Sequence, residues 1–183
     1  MVDQSPDAGQ DSAPSRMSLA RSATASVHVD ASPSEVWEIV ADIDLQQDWS
    51  CEVTKCEWSS PTSSPTVGTR FRGHNRRGFR RWARYNEVTD VEPGRVLGWY
   101  TVPSTLYPDS TAWRIEVQPA GDGTEVRESY EIRSISRGFE VFMYWFNPSH
   151  RERTADLEAD LRRLKALIES RKAEARGKVT ERP

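Results

Sequence analysis

The chain has 183 residues, 36% of them hydrophobic and 29% charged, with a formal net charge of −3. That length suits one domain with a real core, and the acidic balance argues against a general nucleic-acid binder. No apolar run reaches the roughly 18–20 residues of a membrane span, and no basic start leads into an apolar stretch as in a secretory signal, so a cytoplasmic protein without stable membrane insertion is expected.

Residues 1–22 are rich in Ser, Asp, Gln, Ala and Pro and read as a disordered N-terminal tail. TASVHVD (24–30) alternates as a half-exposed strand does. In ASPSEVWEIV, Ser32 is placed to cap a helix, Pro33 takes its first position, and Glu35 completes a capping box. A second short helix or turn follows around Ile43 to Asp48. Six strands come next, over 52–59, 67–77, 80–94, 95–102, 111–119 and 124–134, with hairpin turns at EPGR and AGDG that make an antiparallel meander. GFEVFMYWF (138–146), stopped by Asn147-Pro148, reads as a packed core segment, as a short helix acting as lid or gate over a cavity, or as an interfacial segment that touches a membrane transiently.

Residues 148–172 carry Thr154, Leu157, Leu161, Leu164 and Ile168 at helical spacing, an apolar stripe that needs a sheet or other helices to lie on. Residues 173–183 return to a charged composition and are expected to fray. The predicted order is βααββββββα, an α+β fold with one domain over 23–172.

Cys51 and Cys56 are the only cysteines, too few for a disulfide framework and without metal-site partners, so they read as reduced structural thiols. The three histidines are scattered, and there is neither a nucleophile arrangement nor a Gly-rich phosphate loop. No metal and no cofactor is expected, and any chemistry would be proton transfer or dehydration steered by cavity shape.

The opening VHVDASPSEVWEIVADIDLQQDW, then VGTRFRG, EVTDVEPGRVL and TAWRIEVQPAGDGTEV, resemble the helix-grip fold of the START and birch-pollen-allergen superfamily, the SRPBCC group. The resemblance covers about residues 24–170 and is closer to the bacterial polyketide cyclase/dehydrase and lipid-transport branch. It implies a curved antiparallel sheet wrapped around a long C-terminal helix, with a hydrophobic ligand cavity between them.

Strand alternation then assigns side chains to the cavity. Phe71, Trp82, Trp99, Trp113 and Tyr130 form an aromatic wall, roofed by Leu157, Leu161 and Leu164. Arg84, Asn86 and Glu128 are the polar groups in it, while Arg81 falls on the outer face. Arg84 and Glu128 either neutralise each other or grip a polar end of a ligand. His150 either takes part in proton transfer at the cavity end of the final helix or caps that helix at the surface.

Seven arginines (Arg70, Arg72, Arg76, Arg77, Arg80, Arg81 and Arg84) crowd one hairpin, as a solvated outer face or a partner-binding patch. The functions in play are a binder of a small hydrophobic or lipid-like molecule, a polyketide cyclase or dehydratase using Arg84, Glu128 and His150, and a regulatory interaction module.

Overall fold

The computed structural model describes residues 17–62 and 64–180, with side chains through residue 176. Strand β1 (Ser22–Val29) leads into α1 (Pro33–Val40), a 3-10 turn and the one-turn α2 (Gln46–Trp49). Strands β2 (Val53–Trp58), β3 (Arg70–Arg77), β4 (Arg80–Glu92), β5 (Val96–Thr101), β6 (Ser110–Ala120) and β7 (Gly123–Ser134) follow. The chain then forms α3 (Arg137–Phe146), a 3-10 turn at Pro148–His150, and the long α4 (Thr154–Thr180). All seven strands make one curved antiparallel sheet in the order β1-β7-β6-β5-β4-β3-β2, so the first strand closes the meander by pairing with the last. This is the helix-grip architecture read from the sequence.

Local chemistry accounts for the element ends. Ser32 Oγ accepts from the Glu35 N–H at 3.3 Å while Glu35 Oε2 accepts from the Ser32 N–H at 2.7 Å, the reciprocal capping box expected for α1. The two-residue turns at Gly78-Phe79 and Gly121-Asp122 hold both glycines at φ 60°, the left-handed region that a residue with a β-carbon enters only at a cost. One bulge in β4, between Val88 and Asp90, sits on the far side of Val88 from the residues assigned inward. The alternation of Trp82, Arg84 and Asn86 therefore survives intact.

The core fills the space between the sheet, α1, α2 and α4. Val29, Val36, Trp49, Val88, Ile115, Val117 and Val126 are buried there, together with Leu161, Leu164 and Ile168 of α4. Each such side chain stabilises the fold by about 1.5–3 kcal/mol relative to exposure.

Three boundaries and the element order differ from the sequence reading. Residues 1–16 of the expected tail lie outside the described residues, but 17–22 pack on the domain. Leu19 is buried, and the Ala20 N–H donates to the Arg151 carbonyl at 2.8 Å. The last helix starts at Thr154 instead of 148, because Asn147-Pro148 breaks the chain into a separate 3-10 turn. It runs to Thr180, past the expected end at 172; residues 181–183 lie outside the described residues.

The fourth difference is in the element order, βααββββββαα: among the readings of 138–146 the short helix is the one that forms, as α3. Ser136 Oγ caps it by accepting from the Phe139 N–H. Its inner anchor is a carboxylate: Glu140 is 1% exposed and accepts from the Leu19 N–H, Ser18 Oγ, Arg21 and Arg137. Along the helix Phe139, Phe142 and Phe146 stack in series.

Candidate functional site

The inner face of the sheet, α2, α3 and the start of α4 enclose a cavity of about 500 Å³. Its wall is built by strand alternation. β3 contributes Phe71, Gly73 and Asn75; β4 contributes Trp82, Arg84 and Asn86; Trp99, Thr101, Thr111 and Trp113 come from β5 and β6. Glu128 of β7 completes the deep end. Phe71 meets Trp99 edge-on at 6.2 Å, giving flat apolar surfaces suited to a ring system.

The mouth is set by α3 and the β3–β4 hairpin. Phe142 and Phe146 line the cavity yet are half exposed, and Arg80 and Arg81 line it from the hairpin. The aromatic segment 138–146 is thus a helix over the cavity. Alternation puts Arg81 on the outer face, but it reaches the rim because the hairpin tip lies at the opening.

Seven of the ten expected cavity residues line it: Phe71, Trp82, Arg84, Asn86, Trp99, Trp113 and Glu128. Three do not. Tyr130 packs behind the wall, its ring 5.5 Å from Trp113 and its hydroxyl donating to the Ala20 carbonyl at 3.3 Å. Leu157 and Leu161 are buried, but α4 lies mainly against β1 and α2, so its leucine stripe seals the core instead of roofing the cavity. Asp160 is the α4 residue that lines it.

Arg84 and Glu128 do not pair. The Arg84 guanidinium forks onto the Asp109 carboxylate at 3.0 and 3.1 Å, donates to the Asp109 carbonyl at 2.9 Å, and lies over the Tyr107 ring. Both partners stand in the loop between β5 and β6, a segment that strand periodicity cannot place.

His150 does line the cavity, from the 3-10 turn before α4, with its ring 6.0 Å from Trp82. Its Nε2 lies 3.0 Å from Glu52 Oε1, within a buried cluster absent from the sequence reading. Glu52 accepts from Arg77 at 2.9 Å and from Arg153 at 2.8 Å, and Arg77 also forks onto Asp156. Burial alone would raise the Glu52 pKa; the His150 hydrogen bond, then the charge of Arg153, outweigh it and bring it down to about 2. Asp160, whose pKa burial raises, accepts from the Cys51 N–H at 2.5 Å and from Ser50 Oγ at 3.3 Å. Glu52, His150 and Arg153 sit in a linker, a turn and a helix approach, Arg77 ends β3, and Asp156 and Asp160 belong to α4, so only the fold brings them together.

Besides the buried Nε of Arg153, which has no hydrogen-bond partner among the described residues, the exception in this paired network is Glu128. It is 3% exposed, and its Oε2 is sealed from solvent with no hydrogen-bond partner among the described residues. Burial first, then the negative charge of Asp160, raise its pKa to about 8 against the opposing pull of Arg153. At neutral pH it is a carboxylic acid in the wall of a cavity that His150, Arg153 and Asp160 also line.

Elsewhere, burial pushes the Cys51 and Cys56 thiols up to about 12, consistent with unreactive structural thiols. Three of the hairpin arginines are committed, Arg70 to Glu87, Arg77 to Glu52 and Asp156, and Arg84 to Asp109. Among the described residues no helix is long and apolar enough to cross a membrane.

Comparison with known proteins agrees with this architecture. A family model described as polyketide cyclase / dehydrase and lipid transport matches residues 20–169. A search of curated proteins finds no match. Among solved structures, TTHA0849 from Thermus thermophilus is similar with a TM-score of 0.63 at 14% identity, over 81% of this chain and 97% of that one. MLL2253 from Mesorhizobium loti is similar with a TM-score of 0.59 at 17% identity, over 82% and 98%. The di-domain ARO/CYC BexL from the BE-7585A biosynthetic pathway is similar with a TM-score of 0.61 at 16% identity, over 82% of this chain and 47% of that one. At such identities the likeness concerns the fold.

Proposed function

Because this chain belongs to the polyketide cyclase / dehydrase and lipid transport family, whose members bind ligands or act as cyclases and dehydrases in general, we propose that it binds a small, largely apolar molecule in the cavity between sheet and helices. The observation that supports this most is the cavity itself, about 500 Å³ walled by Phe71, Trp82, Trp99 and Trp113. That volume falls in the range of small-molecule sites, which are lined mainly by apolar side chains with a few placed polar groups. Packed interiors rarely leave such space unfilled. The half-exposed Phe142 and Phe146 suit an entry route for an apolar ligand.

Organic extraction of the purified protein, followed by mass spectrometry, tests this reading. A stoichiometric apolar molecule is the expected result. An empty extract, together with tryptophan fluorescence that ignores a panel of fatty acids and polycyclic aromatics, would overturn it.

A second reading, cyclisation or dehydration of a polyketide-like substrate, draws on Glu128 and His150 lining one cavity with Glu128 poised near neutral pH. Glu128→Gln separates the two. Under the binding reading the variant still takes up ligand and there is no turnover to lose; under the catalytic one it binds and turnover disappears.

A further inference from the structure

Resting on the binding reading above, we infer that the deep end of the cavity recognises an uncharged carbonyl oxygen, of ketone, quinone or lactone type, with Glu128 as the hydrogen-bond donor.

The other charged groups around Glu128 are already engaged, except that the buried Nε of Arg153 has no hydrogen-bond partner among the described residues. On the strands beside it, Ala25 of β1 and Ile115 of β6 stand opposite and carry no charge. From the linker before α4, Arg153 donates to Glu52 at 2.8 Å and lies over the Trp113 ring. His150 contacts the same Glu52, and Asp160 of α4 holds the Cys51 N–H and Ser50 Oγ. Glu128 Oε2 is left buried without a partner among the described residues. A buried polar atom in this state is destabilising until something meets it.

The form of the carboxyl decides what can meet it. With no counter-charge of its own and Asp160 nearby, it keeps its proton at neutral pH. A carboxylic acid donates one hydrogen bond, so its complement is an oxygen that accepts. A ligand carboxylate would bring a second negative charge beside Asp160, while the positive charge of Arg153 is already matched by Glu52. A pure hydrocarbon would leave the donor unmet. The apolar rings of Phe71 and Trp99 would then hold the body of the molecule.

The test compares 1-tetralone with tetralin, one bicyclic skeleton with and without the carbonyl, by tryptophan fluorescence titration of the full chain. In the wild type at about pH 6.5 the ketone binds tighter by about tenfold or more, the scale of one buried hydrogen bond. Near pH 9.5, above the value at which Glu128 ionises, that advantage falls to about threefold or less. Glu128→Leu erases the preference at both pH values and still binds tetralin. Glu128→Gln, which keeps an N–H donor, retains the preference and loses its pH dependence.

Equal affinity of the wild type for both probes at the lower pH overturns the assignment to Glu128, as does a ketone preference that Glu128→Leu preserves. Either result leaves the cavity reading standing. If the folded wild type binds neither probe, the cavity reading for ligands of this class falls, and the assignment falls with it.

Discussion

Replacing Glu128 with Gln should remove a pH dependence of folding stability that the wild type carries. In the folded chain this carboxyl titrates at about 8, against an ordinary value of 4.5. The folded state therefore keeps a proton that the unfolded chain has released. Stability from this group is complete below pH 4.5, declines as pH rises from 4.5 to about 8, and is level above that. At about 1.4 kcal/mol per pH unit the whole interval is worth about 5 kcal/mol, and the span from about pH 5 to 7.5 about 3 kcal/mol. No discount for solvent screening applies, because the side chain is buried. Urea unfolding followed by tryptophan fluorescence at these two pH values measures it, and groups common to both proteins cancel in the difference. The wild type minus Glu128→Gln difference should fall by about 3 kcal/mol as pH rises across that span. A difference constant to within about 0.5 kcal/mol would refute the reasoning, since it would mean that Glu128 ionises in the folded chain much as it does in the unfolded one.

Three further outcomes follow from the same structure. Glu52→Gln should destabilise the fold by about 3–5 kcal/mol, because Arg77 and Arg153 lose a buried counter-charge. In the wild type the stabilisation from Glu52 is present above pH 4.5 and lost as pH falls toward about 2, so acid unfolding of the variant should lack that component. Leu161→Ala should cost about 2–5 kcal/mol in chemical denaturation while leaving uptake of an apolar probe unchanged, since Leu161 fills the core and does not line the cavity. Finally, Cys56, buried and with its thiol pushed up to about 12, should react with a disulfide reagent far more slowly in the native protein than in urea; prompt labelling of the folded chain would contradict its placement.

How much of this is legible in the sequence depends on where each residue sits. Counting in twos from Val88 places Trp82, Arg84 and Asn86 on the inner face, and the count holds because the β4 bulge lies beyond them. The α1 start is legible because a capping box is a local device confined to four residues. Leu157 and Leu161 show the limit of periodicity. A helical stripe says that one face is buried, not what it is buried against, and α4 turns that face to β1 and α2.

The charged residues are the hardest to read, for a geometric reason. Arg84 has its partner in the β5–β6 loop, and Glu52 meets His150 and Arg153 across a separation of about a hundred residues, from a linker, a turn and a helix approach. No period relates such positions. Glu128 is visible in the sequence as an inward carboxylate on β7. That it lacks a partner emerges only once Arg84 is seen to belong to Asp109 and Arg153 to Glu52.

The most direct test of the central claim, that the cavity takes up an apolar molecule, is equilibrium dialysis of radiolabelled anthrone against the wild type and Thr111→Trp. Thr111 lines the cavity from β6, and its backbone N–H, which bonds Thr101 Oγ1, is untouched by the change. The added indole would fill much of the space. Saturable uptake of one anthrone per chain, weakened by about tenfold or more in Thr111→Trp, is the predicted result. Non-saturable uptake, or equal uptake by the two folded proteins, would contradict it.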